Sequence, residues 1–273
     1  MSGFTLALRQ TPASRVDAAP LSNIIGKSSS EIALITLRTE HGDRIPLGDL
    51  FRIEARENDA ISIEGDLSAF DDLGAAMTSG VMFIDGDVGN RAGSDLAGGR
   101  ITITGNAGHD TGSHMSGGVI IVDGDVGDRT GSARPGVKRG MTGGEIIILG
   151  NAGHQTGAFL RRGTIAVAGG LGQDTLHAAL AGTVLTLGDV GAEAGRLNKR
   201  ASLISFGDVN PPGTYRYACT YSPVFVRVLL RHLRRSYNFP AASRHFLHPL
   251  ERYCGDFAEL GRGEILRAAR DAL

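Results

Sequence analysis

Eight histidines are the first place to look for chemistry in this chain. His109 and His154 hold the same place in two similar phrases, Gly108-His-Asp-Thr-Gly112 and Gly153-His-Gln-Thr-Gly157, and His114 lies five residues after His109. Imidazoles stacked with Asp128 between them could bind a divalent ion. No H-E-x-x-H and no close His/Cys set accompanies them. Solvent-facing corner positions are the simpler reading of His109 and His154, and no metal ligand is assigned among His109, His114 and His154.

Nucleophilic chemistry fares no better. There is no G-x-S-x-G phrase, and Cys219 and Cys254 lack a neighbouring signature for activation. Two cysteines also exclude a disulfide framework, an iron–sulfur cluster and a four-cysteine zinc site. A glycosidase pair of carboxylates would need a sugar groove with aromatic platforms, and the chain has no Trp. No catalytic residue is assigned. What remains is charge: Arg227, Arg231, Arg234 and Arg235 lie on one side of a helical stretch, and Arg134, Lys138 and Arg139 lie in an insertion. Both sets are candidates for facing an acidic partner or ligand.

The frame carrying these residues is a repeat. Glycine numbers 40 while aromatics make up 5%, which argues against one large conventional core. A ruler glycine recurs at Gly86, Gly105, Gly124, Gly150, Gly169, Gly188 and Gly207, and every gap is 19 residues except the one from Gly124 to Gly150, which is 26. The phrase is G-x-x-G-x-x-x-G: Gly86, Gly89, Gly93; Gly105, Gly108, Gly112; Gly124, Gly127, Gly131; Gly150, Gly153, Gly157. The units do not open helices, so a phosphate-loop reading fails.

Before each ruler glycine, apolar residues stand two apart: Met82 and Ile84, Ile101 and Ile103, Ile120 and Val122, Ile146 and Ile148, Ile165 and Val167. That spacing predicts short half-buried strands. With glycine corners between them, the expectation is a mainly β fold, a right-handed parallel β-helix of about seven 19-residue coils over residues 61–210. The glycines would serve the corners by accepting positive φ and by letting coils approach. Stacking puts Asp87, Asn106, Asp125, Asn151, Gly170, Asp189 and Asp208 in one column. That column reads either as a cation site or, with Asn relieving the repulsion, as a ladder capping turns.

Residues 1–60, with strand-like runs at Phe4–Leu8 and Ile32–Leu37, are expected to cap one end. Residues 211–273 are expected to cap the other with helices: Pro223 to Tyr237, and a turn and short helix from Gly261 to Leu273. The seven-residue insertion Ala133–Arg139 falls at a corner. Basic residues (28) and acidic residues (29) nearly cancel, which excludes an overall field for nucleic acid. No run approaches the ~20 apolar residues that span a bilayer. With no secretory layout at the N-terminus, the expected address is cytoplasmic.

The coil phrases, together with Met77-Thr-Ser-Gly80, Met115-Ser-Gly-Gly118, Met141-Thr-Gly-Gly144, Gly255-Asp256 and Gly261-Arg-Gly-Glu264, resemble the C subunit of formylmethanofuran dehydrogenase and that of its bacterial counterpart, the formyltransferase/hydrolase complex of methylotrophs. The glycine domain of glutamate synthase is similar over the coils alone. The resemblance implies a non-catalytic scaffold in a hetero-oligomer, with two copies of each subunit and transferase and hydrolase partners. It implies a methanofuran-type carrier and tetrahydromethanopterin as cofactors of the complex, and zinc in a partner subunit. The two arginine sets would then guide the carrier's glutamate-rich tail. With 25 arginines and three lysines, the bacterial complex is favoured over the archaeal tungsten or molybdenum dehydrogenase. A stand-alone binding protein and a polysaccharide-acting enzyme are the remaining readings. Leu176 replaces a third glycine, and Arg162 and Ala181 replace the first of paired glycines, so corner geometry is expected to differ there.

Overall fold

The computed structural model describes residues 3–269. The first segment holds β1 (Gly3–Leu8), β2 (Val16–Asp17), α1 (Ser29–Ala33), β3 (Thr36–Thr39), β4 (Arg44–Pro46), α2 (Leu47–Leu50) and β5 (Phe51–Arg56). The repeats supply β6 (Ala60–Glu64), β7 (Phe70–Asp71), β8 (Val81–Asp85), β9 (Arg100–Ile103), β10 (Val119–Val122), β11 (Glu145–Ile148), β12 (Thr164–Val167), β13 (Thr183–Thr186) and β14 (Ser202–Ser205). The last segment holds β15 (Arg216–Tyr221), α3 (Val224–Tyr237), α4 (Ser243–Leu247), β16 (Leu250–Gly255) and β17 (Gly263–Ala268).

Thirteen strands form one sheet in the order β15-β16-β17-β14-β13-β12-β11-β10-β9-β8-β6-β1-β5, and a small sheet runs β4-β3-β2-β7. From β6 to β14 every neighbour is parallel and in register: Ile101 pairs with Met82 and Ile120, and Ile146 pairs with Ile120 and Ile165. A second parallel ladder links Leu67, Val88, Ala107, Val126, Ala152, Leu171 and Val190. The 26-residue interval keeps register because the insertion bulges out between Ser132 and Gly140 without entering either ladder.

The stacked strands bury two side chains each on their inner face, because residues two apart share a face. Aliphatic residues fill most of those places. Thr186 and Ser205 stand in the same column at β13 and β14, fully buried, and Ser205 Oγ donates to Gly207 O at 2.9 Å. Thr186 Oγ1 donates to Gly169 O of the preceding coil at 2.5 Å, so both hydroxyls are satisfied and the core tolerates them. Aromatics are held for the ends. Phe4, Phe51 and Phe70 are buried beside the first repeat, with the Phe51 and Phe70 rings 5.3 Å apart. Tyr215 closes the other end, donating to Gly195 O at 2.9 Å.

Three expectations need correction. The run Ile32–Leu37 is not one strand: Ser28 and Glu31 form a reciprocal capping box that starts α1, and the strand begins only at Thr36. The segment from Gly261 is not helical: β17 pairs parallel with β14 and antiparallel with β16, covering the last repeat's open edge. Arg270–Leu273 lie outside the described residues. Third, α3 does not lie across the end of the repeats. Val226, Leu230 and Leu233 pack on Ile121, Ile147, Ala166, Leu185 and Ile204, which project from the outer face of β10–β14. Those five outward positions form an unbroken apolar column, whereas their equivalents in β6 and β9 are the polar Ser62 and Thr102, with an isolated, exposed Phe83 in β8. The helix follows that change. Val224, Phe225 and Val228 point outward at 62%, 44% and 60% exposure.

The corners are built in two ways. Ruler and second glycines are close-approach sites: a Cβ on Gly124 would sit 2.7 Å from Gly105 O. Third glycines take positive φ, 64° at Gly112 and 67° at Gly131. Leu176, in a third-glycine place, adopts φ 59° and is fully buried. Two further places in most repeats put ordinary residues in the left-handed region, for example Arg91 (60°) and Asp110 (61°), then Asp95 (55°) and His114 (58°); the repeat with the insertion keeps only the first, at Arg129 (60°).

Candidate functional site: a basic groove across the coils

Much of the polar surface maintains the stack. Asp87 Oδ1 accepts from Asn106 N at 2.7 Å, Asn106 Oδ1 from Asp125 N at 2.8 Å, Asp125 Oδ1 from Asn151 N at 2.6 Å, and Asn151 Oδ1 from Gly170 N at 2.8 Å. Each side chain satisfies an amide of the following coil, which makes this column a capping ladder. His109 and His154 belong to a parallel ladder. Asn90 Oδ1 accepts from His109 N, His109 Nδ1 from Asp128 N at 2.9 Å, Asp128 Oδ1 from His154 N, and His154 Nδ1 from Gln173 N at 2.9 Å. An Nδ1 that accepts puts the proton on Nε2. These imidazoles do the work of asparagine. Among the described residues no three His, Cys, Asp or Glu gather as a metal cluster would require.

A third column alternates charge. Arg91 pairs with Asp72, and Arg129 grips Asp110 through Nε and Nη2 at 2.8 and 2.7 Å. All four lie in the left-handed region, and the bidentate pairs help hold that backbone. His114 pins the insertion: its Nε2 accepts from Arg134 N at 3.0 Å, and the Arg134 guanidinium is bound to Asp95. Burial and the nearby Arg134 push the His114 pKa down. At the flank, Glu145 on β11 receives His232 Nε2 at 2.9 Å and the Tyr237 hydroxyl, fixing the last turns of α3 to the sheet. Burial and the Glu145 carboxylate push Tyr237 up to about 12.

One group of cations is different, because most of its members lack an acidic partner among the described residues. Arg139, Thr142, Arg161, Arg162, Leu180, Ala181 and Arg200 line a cavity of about 640 Å³ with no acidic residue in its wall. A neighbouring cavity of about 480 Å³ shares Arg161 and Leu180 and adds Lys138, His177 and Lys199. Its single acid, Glu259, stands 3.6 Å from Lys199. Together they form a groove of six cations crossing several coils, in which Arg139, Arg161, Arg162 and Arg200 make no ion pair among the described residues. The 19-residue register builds it: Arg162, Ala181 and Arg200 form one column, and Arg161, Leu180 and Lys199 the next. Earlier coils carry glycine in the first column, at Gly98, Gly117 and Gly143, where a Cβ would meet the preceding coil's carbonyl oxygen at 2.3–2.4 Å. Two coils apart, Arg162 and Arg200 stand roughly 10 Å from each other along the stack.

The two expected arginine sets therefore separate. Of the insertion set, Lys138 and Arg139 enter the groove while Arg134 is held by Asp95. Of the helix set, Arg231, Arg234 and Arg235 line a cavity of about 440 Å³ with Ser243, Phe246 and Leu247. Arg234 sits 5.8 Å from the Phe246 ring centre, and Arg227 lies apart, beside His245 and His248. Sequence reasoning missed Arg161, Arg200 and Lys199. Their signal was present: Arg162 breaks the paired-glycine rule, and counting two 19-residue periods forward reaches Arg200.

Stacked glycine-cornered repeats, capping ladders and a basic groove define a mainly β repeat protein. No family model matches the sequence. Over 89 residues the chain is 36% identical to the C subunit of the formyltransferase/hydrolase complex Fhc from Methylorubrum extorquens, an alignment that covers 32% of this chain and a third (33%) of that relative. A chain in the crystal structure of the same organism's formyltransferase/hydrolase complex FhcABCD with methylofuran matches at 33% identity with a TM-score of 0.83, covering 97% of this chain and 100% of that one. The protein belongs to the family of the Fhc C subunit.

Proposed function

We propose that this chain is the scaffold subunit of a formyltransferase/hydrolase complex, wound as a right-handed parallel β-helix over 61–210, with residues 1–60 closing one end and β17 and Tyr215 the other. The likeness along nearly the whole chain at 33% identity carries this reading. In it the complex works in the cytoplasm, passing a formyl group from formyl-tetrahydromethanopterin to a methanofuran-type carrier and hydrolysing it to formate. Transferase and zinc hydrolase chemistry reside in partner subunits, with two copies of each subunit. The ladders support that division, because the histidines and carboxylates best placed for chemistry are committed to backbone amides.

The groove gives the chain a part in the work. Cations spaced along the coil axis, with Glu259 the one acid among them, suit an extended polycarboxylate such as a glutamate-rich carrier tail. Arg139, Arg161, Arg162, Arg200 and Lys138 would guide that tail. Tagged chain purified natively from its own host is expected to carry transferase and hydrolase subunits with it. A chain that emerges alone and monomeric overturns the subunit reading. Arg162→Glu with Arg200→Glu is expected to leave assembly intact, slow carrier-dependent turnover about tenfold and flatten its salt dependence. An unchanged rate and salt slope removes the guiding role.

A further inference from the structure

The two edges of the long sheet are finished differently. At one edge, β5 carries Arg52, Glu54 and Arg56, alternating charges of the kind that keep an edge strand from recruiting another. At the other edge, β15 reads Arg-Tyr-Ala-Cys-Thr-Tyr, with a single charge at its first residue and no proline. All six residues are exposed. Its inner edge pairs with β16, and among the described residues no backbone hydrogen bond leaves its outer edge. A bulge between Tyr217 and Cys219 is its one guard, and an edge of that length, otherwise open and nearly uncharged, is a template for one more strand.

The surface continues from this edge onto α3. Tyr221, Val224, Phe225 and Val228 are 36%, 62%, 44% and 60% exposed, although they follow one another within eight residues. Arg227 and Arg231 rise beside them, and neither makes an ion pair among the described residues. Unpaired backbone groups call for an extended occupant, the apolar stripe calls for apolar contacts, and the arginines fix its sign. A second copy would bring the same arginines face to face. An acidic strand would neutralise them.

We propose that the outer edge of β15 and the first turns of α3 dock an extended, acidic segment of a different subunit, which adds a fourteenth strand to the sheet; this rests on the subunit reading above. The test compares backbone amide exchange of the full chain alone with that of the natively purified assembly. Amides of residues 216–221 are expected to exchange at least tenfold more slowly in the assembly. Arg227→Glu with Arg231→Glu is expected to lower recovery of the chain in the assembly severalfold, while the isolated variant melts as the parent does. Co-purification with β15 still open overturns this proposal and leaves the subunit reading standing. A chain that is alone and monomeric overturns both. Self-association that protects β15, or recovery unchanged by charge reversal, also overturns the acidic occupant.

Discussion

The residue-scale lesson lies in the histidines. A His that accepts a backbone N–H through Nδ1 can be replaced by Asn, which supplies the same acceptor in Asn90 and Asn106 of the adjacent ladders. His109→Asn is therefore expected to leave thermal stability within about 0.5 kcal/mol, and His109→Leu to cost about 1 kcal/mol for the lost acceptor. Equal losses for Asn and Leu, measured by urea unfolding, would remove the acceptor role. Three other histidines carry a pH signature. Burial, reinforced by Arg134, Arg196 and Arg244 respectively, lowers the pKa of His114, His177 and His245 below the usual 6.5. Below pH 6.5 the unfolded chain binds protons that the folded chain resists, so ν_U exceeds ν_N and stability rises with pH. Stability is expected to be fully present above pH 6.5 and to decline as pH falls below it, visible as a falling urea midpoint between pH 7.5 and 5.5. Replacing His177 and His245 by Phe and Gln should flatten that slope.

At the scale of elements, what could be read in the sequence was whatever the 19-residue period imposed. Strand positions, inward residues and glycine corners follow from periodicity, since each side chain must match the one stacked below it. What escaped lacks a period. The helix Pro223–Tyr237 was recognisable from its pattern, but its facing was set by the outward side chains of β10–β14, which a sequence reading divides among five separate repeats. The strand β17 was misread because its partners, β14 and β16, are distant or unremarkable in sequence. The groove was half legible, through Lys138, Arg139 and the departure at Arg162. Glycine chemistry can be tested directly. Gly124→Ala puts a methyl 2.7 Å from Gly105 O, whereas Gly213 has nothing within 4 Å. Gly124→Ala is expected to cost more than 2 kcal/mol through overpacking against backbone, and Gly213→Ala to be near neutral. A tolerated Gly124→Ala would mean that coils can move apart freely. Leu230→Ala, which empties the helix–sheet seam, is expected to cost about 2–4 kcal/mol.

For the whole molecule, stability along the stack behaves as a sum of nearest-neighbour contacts. Each coil is thin, so the ends govern where opening begins. Phe4, Phe51 and Phe70 seal the first coil. Tyr215 seals the last, with its ring packed where a side chain on Gly255 would otherwise stand and its hydroxyl bonded to Gly195 O and Asn198 Nδ2. Burial raises its pKa to about 12, so the hydroxyl stays protonated and keeps donating across the physiological range. Tyr215→Ala is expected to cost about 3 kcal/mol, and the loss should be local. Amide exchange should quicken in β13, β14 and β17 while β8 to β10 keep their protection, because the middle coils lose no neighbour. Uniform acceleration across all coils would show instead that the stack opens as one unit, and that the aromatic ends contribute only bulk core.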